Sequence, residues 1–137
     1  MDLTERVAIV TGASSGIGEA TARALSRSGC SVVLAARREE RLETIAEDLD
    51  GETLVVPTDV SDPDDAESLV EQTIAAFDMV DVLVNNAGIA RGGPVGDGHL
   101  EELRETVRVN LEGVMNVTEA ALPLLRTRRA TLSRFRR

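Results

Sequence analysis

The stretch Thr11-Gly12-Ala13-Ser14-Ser15-Gly16-Ile17-Gly18 constrains this chain more than any other. The apolar run Val7-Ala8-Ile9-Val10 leads into it, and a helical pattern from Glu19 to Ser28 leads out. A strand, a glycine-rich turn and a helix start in succession present backbone N–H groups at a helix N-terminus, where an anion such as a phosphate is favoured. Gly12 is expected to let the chain turn sharply, Gly16 to let a phosphate reach the backbone, and Gly18 to let the helix pack close to the sheet. Ser14 and Ser15 can cap the helix or donate hydroxyls to a ligand. The spacing differs from the common G-x-G-x-x-G pattern, and a plain strand-to-helix turn is the alternative reading of this stretch alone.

The remaining chain alternates short apolar runs with helical patterns. Val7–Val10 and Ser31–Ala36 are continuously apolar or nearly so, as strands covered on both faces are. The first helix is expected to bury Ile17, Ala20, Ala24 and Leu25 and to stop at Gly29. Arg37-Arg38 is expected to open a second helix with a stripe of Leu42, Ile45, Ala46 and Leu49, broken at Gly51. Thr53–Val56 reads as a third strand. Ser61-Asp62-Pro63-Asp64-Asp65 then offers a capping side chain, a proline for the first turn and carboxylates at the positive end of the dipole. The helix that follows should bury Ala66, Leu69, Val70, Thr73, Ile74 and Phe77. Asp81–Val84 is a fourth strand running into Asn85-Asn86-Ala87-Gly88, and a glycine-rich loop leads to a helix from about Leu100 to Leu125. One stripe of that helix is Leu100, Leu103, Val107, Leu111, Val114 and Thr118; Val109, Val117, Ala121 and Leu124 make it apolar beyond a single face. Two apolar faces imply two neighbours, the second a candidate partner subunit. The order β-α-β-α-β-α-β-α predicts a three-layer, doubly wound parallel sheet, a single α/β domain over residues 1–125.

Composition adds charge. All 15 basic residues are Arg, and the formal net charge is −9. Six of the arginines fall in residues 126–137, so nine arginines against 24 acids leave −15 on residues 1–125. Such a body repels nucleic acid and suits a high-salt cytoplasm, or simply an acidic proteome encoded by a GC-rich genome. Cys30 is single and is expected to be a small buried hydrophobe. His99 lies on a loop without partners at metal spacing and is expected at the surface. The first residues do not read as a signal peptide and no apolar run has membrane-spanning length, so the expectation is a cytoplasmic protein with no membrane partner.

Four motifs in order and in register carry a resemblance. Thr11-Gly12-x-x-x-Gly16-Ile17-Gly18, Asp59-Val60, Asn85-Asn86-Ala87-Gly88 and Val109-Asn110-Leu111 resemble those of the short-chain dehydrogenases/reductases, in their classical subgroup. The likeness covers residues 4 to about 129. It implies a Rossmann-type sheet that binds NAD(H) or NADP(H). Gly12, Ser14, Ser15, Gly16, Ile17 and Gly18 would then hold the pyrophosphate. Ala36 stands where an NAD site carries an acid for the 2′-OH, and Arg37 and Arg38 follow it, which favours NADP(H). A solvated helix start is the plain alternative for these two arginines. Asp59, with the Val60 N–H alongside, would accept from the adenine amino group, or else cap the following helix. Asn86, Ala87 and Gly88 would let the chain pass close to the ribose. Asn110 would be the tetrad Asn that holds a proton-relay water, the remaining catalytic residue.

The resemblance also implies a Tyr acid/base, a Lys on the same helix that lowers the Tyr pKa, and a Ser on a fifth strand, all serving hydride transfer between nicotinamide and a carbonyl or alcohol. The composition holds no Tyr, and with every basic residue an Arg it holds no Lys. The chain is therefore expected to be a truncated, inactive form of an NADP(H)-dependent oxidoreductase. The alternatives are a non-catalytic dinucleotide-binding fragment and a frameshifted product with no independent role. The Arg-rich residues 126–137 are expected to be disordered or frameshift-derived. A Gly-His-Ile-Val-Ser-Ile-Ser-Ser strand read one base out of frame gives Ala130-Thr131-Leu132-Ser133-Arg134-Phe135-Arg136-Arg137 for one choice of codons. A basic arm for nucleic acid is the lesser reading of that segment. A sheet stopping at the fourth strand would expose an apolar edge, and ~400 Å² left uncovered forfeits about 10 kcal/mol.

Overall fold

A computed structural model describes residues 3–14 and 16–135, with side-chain surroundings given as far as Leu125. Ser15 and all of the Arg-rich segment 126–137 therefore lie outside the described side chains. Four strands, β1 (Val7–Thr11), β2 (Ser31–Ala36), β3 (Thr53–Pro57) and β4 (Val82–Val84), form one parallel sheet in the order β3-β2-β1-β4. Ala8 pairs with Val32 on one side and with Val82 on the other. The chain thus builds outward from β1 to β3, then returns to the opposite side of β1. That reversal places a crevice at the carboxyl ends of β1 and β4.

The sheet is continuously apolar because helices cover both faces. Ala8, Val10, Val32 and Leu34 point to one side, where they meet Ala22 of α1 (Gly16–Arg27) and Leu42 and Ile45 of α2 (Glu39–Glu47). Val7, Ile9, Val33 and Ala35 point to the other. There they pack with Ala66, Leu69 and Val70 of α3 (Pro63–Phe77) and Val117 and Ala121 of α5 (Gly113–Phe135). Alternate residues of one strand thus serve two separate cores, the pattern of a three-layer α/β domain. Asp62 caps α3 by accepting from the Asp64 N–H at 2.9 Å, with Pro63 in the first turn, as the sequence predicts.

Several expected faces and boundaries move. In α1 the buried residues are Gly18, Ala22 and Ser26, whereas Ile17 is 77% exposed and Ala20 and Ala24 are exposed. Small side chains bring this helix close to the sheet, and the turn lifts Ile17 outward. Helix α2 starts at Glu39, so Arg37 and Arg38 precede it, and it ends at Glu47 with Asp48 as its cap, short of Gly51. The long helix is not uniform. It comprises α4 (Leu100–Val107), a π-helical turn (Arg108–Glu112) and α5, which continues past Leu125 to Phe135. Its core-facing side is Val109, Val117 and Ala121, while Leu100, Val107 and Leu111 of the expected stripe are more than half exposed. Among the described residues β4 pairs only with β1, and Val82, Leu83 and Val84 are each half-buried. No helix among the described residues is long and apolar enough to cross a membrane.

Candidate functional site

The crevice is organised by Thr11, the last residue of β1. Its buried hydroxyl oxygen accepts from the Asn86 N–H at 3.0 Å and the Ala87 N–H at 3.1 Å, and the hydroxyl donates to the Val84 carbonyl at 3.4 Å. Asn86 completes the stitch by donating from Nδ2 to the Gly12 carbonyl at 3.2 Å. The ends of β1 and β4 are thereby locked together at the switch point. Only glycine fits two positions of this junction. A Cβ on Gly12 would stand 2.8 Å from the Asn86 carbonyl and the Ala87 backbone, and its φ of +62° is one that L side chains rarely adopt. A Cβ on Gly18 would collide with the Gly12 carbonyl and the Asn86 amide. Gly18 thus permits close packing of helix on turn as much as helix on sheet. At Gly16 a Cβ would meet nothing within 4 Å, so the backbone there faces open space.

These elements enclose a cavity of about 550 Å³. Gly12 and Ser14 form one wall, Ala36, Arg37 and Arg38 a second, Asp59 and Val60 a third, and Asn86, Ala87 and Gly88 the floor. Nine of the expected site residues therefore converge on one space. Gly16, Ile17, Gly18 and Asn110 do not line it. Thr58, Ile89 and Arg91 also line the cavity, and the sequence pattern did not single them out. Thr11 belongs to the glycine motif, but its bracing role depends on where β4 ends in space.

Each polar wall has a distinct character. Arg6, Arg23, Arg41, Arg91, Arg104 and Arg108 each lie against a carboxylate. The Arg37 and Arg38 side chains are exposed and have no hydrogen-bond or ion-pair partner among the described residues; only the Arg38 carbonyl is engaged, by the Leu42 N–H at 3.3 Å. Two uncompensated cations beside a helix start oppose its dipole unless an anion joins them. Asp59 is half committed: its Oδ1 accepts from the Ser61 N–H at 3.0 Å and hydroxyl at 2.6 Å. Its own N–H donates to Asp65 at 2.8 Å, fixing the backbone before α3. Asp59 therefore shapes the turn that leads into α3 and also faces the cavity, while Asp62 is the residue that caps the helix. Val60 is held from behind, where Asn116 donates to its carbonyl at 3.0 Å.

Asn110 sits in the π-helical turn and clasps the chain after Gly88. Its Oδ1 accepts from the Ile89 N–H at 2.8 Å and its Nδ2 donates to the Ile89 carbonyl at 2.7 Å. Widening of the helix at this turn aims an exposed Asn at a backbone segment, as single π turns often do at functional positions. His99 is half exposed and lies 2.9 Å from Glu102, consistent with a surface role. Cys30 is 1% exposed, and burial first, then the charge of Asp81, push its thiol above the ordinary range. It is a core residue outside the cavity. Among the described residues no cluster of His, Cys, Asp and Glu could hold a metal.

The arrangement fits a dinucleotide: a glycine cradle for phosphate, a free cationic pair, and a carboxylate at neighbouring strand ends. Comparison with known proteins agrees. The short chain dehydrogenase family pattern matches residues 6–131. An uncharacterized oxidoreductase of Staphylococcus haemolyticus is 42% identical over 123 residues, covering 89% of this chain and 53% of that protein. One from Listeria innocua is 41% identical over 126 residues, covering 90% and 51%. Among solved structures, an alcohol dehydrogenase from the archaeon Thermococcus sibiricus, complexed with 5-hydroxy-NADP, superposes with a TM-score of 0.84 at 40% identity, over 88% of this chain and 53% of that one. A short-chain type dehydrogenase/reductase from Mycobacterium marinum gives 0.86 at 32% identity, over 90% and 51%. The chain spans about half the length of the relatives it matches.

Proposed function

Since the chain belongs to the short-chain dehydrogenase family, we propose that its cavity is the dinucleotide half of an oxidoreductase that prefers NADP(H) to NAD(H). The observation that carries this reading is the unpartnered pair Arg37–Arg38 on the same cavity as the glycine turn. A 2′-phosphate on the adenosine ribose supplies the anion the pair lacks, and no carboxylate at Ala36 repels it. Support also comes from the Thermococcus sibiricus relative, whose complex holds an NADP analogue. In this reading Gly12, Ser14, Ser15, Gly16, Ile17 and Gly18 form the pyrophosphate cradle. Asp59 and Val60 face the adenine, and Asn86, Ala87 and Gly88 form the ribose floor. Bound cofactor supplies a hydride for a carbonyl or alcohol substrate in the whole protein.

Asn110 contributes by holding Ile89, and so sets the wall beyond Gly88; the family's water-holding role belongs to the complete reaction. With no Tyr and no Lys among them, these 137 residues supply the cofactor half of the reaction and not its acid/base. The exposed apolar face of Leu100, Val107, Leu111 and Met115 pairs with a second copy. Thermal shift with NADPH and with NADH tests the cofactor reading. A larger rise in melting temperature with NADPH supports it. No rise with either ligand, at millimolar concentrations and stated salt, contradicts it.

A further inference from the structure

The cavity has two walls that must stay at a fixed separation. One is the turn after β1, carrying Gly12 and Ser14; the other is the segment before α2, carrying Arg37 and Arg38. Arg41 joins them. It lies in the first turn of α2, three residues beyond Arg38. Its Nε donates to the Ser14 carbonyl at 3.0 Å, and its Nη2 donates to Glu19 Oε1 of α1 at 2.7 Å. Glu19 gives its other oxygen to Arg23 at 3.3 Å, and Arg23 reaches Asp48, the cap of α2, at 3.4 Å. Helix α2 is thus tied to α1 at its start through Arg41 and at its end through Asp48. On its other side the turn is held by the Ala13 N–H, which donates to the Ala35 carbonyl at 3.3 Å.

We propose that Arg41 is a positioning residue that sets the distance between the Arg37–Arg38 pair and the glycine turn, so that one dinucleotide engages both. The proposal rests on the dinucleotide reading of the cavity. A guanidinium is a planar fork whose donors have fixed spacing, so it holds a carbonyl and a carboxylate at once. A lysine ammonium offers its three donors from a single nitrogen, without that fixed spacing. The ion pairs in this network stay open to solvent, with Arg23 and Glu19 half-buried and Arg41 and Asp48 exposed, and such pairs add little to global stability. What they fix is the geometry of the Ser14 peptide relative to α2.

The test compares the 137-residue chain with R41A and R41K, using NADPH, which spans both walls, and 2′-AMP, which engages the cationic and adenine walls but not the glycine turn. In R41A the dissociation constant for NADPH should rise about tenfold, the worth of one charge-assisted hydrogen bond. That for 2′-AMP should change by less than about twofold, since the Arg37–Arg38 wall is intact. R41K should fall between R41A and the parent for NADPH. Equal losses for both ligands, or none for NADPH, overturn the proposal while leaving the dinucleotide reading standing. A parent chain that binds neither ligand overturns both. Amide exchange of the ligand-free chain gives a readout independent of binding. Exchange across residues 12–18 should quicken in R41A and only partly in R41K; unchanged exchange also overturns the proposal.

Discussion

Thr11 shows what one side chain contributes to the crevice. Its oxygen is the acceptor for two backbone N–H groups, those of Asn86 and Ala87, at a partly buried junction. Thr11→Val keeps the shape and removes that acceptor. Two orphaned donors should cost about 2–4 kcal/mol in urea unfolding, with cofactor binding weakened as the floor loosens. Cys30 gives a pH prediction. Its thiol pKa is raised in the fold by burial and by Asp81, above the ordinary value of 9.0. The unfolded chain therefore loses this proton first as pH rises. The stability due to the buried neutral thiol is complete below pH 9.0 and is lost as pH climbs through the raised folded value. Unfolding midpoints measured from pH 8 upward should begin to fall above about pH 9 in the parent, and the decline should be smaller in Cys30→Ala. At this scale the sequence was legible where chemistry is local. Gly12, Asp59 and Asn86 announce themselves by residue type at strand ends, whereas Thr11, Arg41 and Arg91 take their roles from residues far away in the chain.

Elements were legible to the extent that their burial is two-sided or their caps are local. Continuous apolar runs identified β1 to β4, because a strand covered on both faces needs no alternation. Asp62-Pro63 identified the start of α3 for the same local reason. Asp62→Ala removes the bond to the Asp64 N–H and should cost about 1 kcal/mol by thermal or chemical unfolding, with NADPH affinity unchanged. The long helix was less legible. It is apolar on two sides, and composition cannot say which one meets the sheet. The structure turns Val109, Val117 and Ala121 inward and leaves Leu111 and Met115 outward, with the π turn at Arg108–Glu112 shifting the register between α4 and α5. A π turn has no composition signature, so the period of 3.6 carried the expected stripe straight through it. In the first helix Leu25 packs against the core as expected, but the rest of the face was missed for a related reason: Gly18, Ala22 and Ser26 are too small to look like a buried face.

At the scale of the molecule, strand order does the work. Reversal at β1 opens the crevice, and the two walls that flank it carry the glycine turn and the arginine pair. A body with net charge −9 presents this pair as a local exception to its own field. The central claim is that the pair reads a 2′-phosphate. It is tested most directly by dissociation constants for NADPH and NADH, measured at one fixed salt concentration, on the parent chain and on the variant with Arg37→Ala and Arg38→Ala. The account predicts that NADPH binds the parent at least about tenfold more tightly than NADH, with the ratio falling to about one in the variant through loss of NADPH affinity alone. A parent chain that binds NADH as tightly as NADPH, or a variant that keeps the preference, would contradict it.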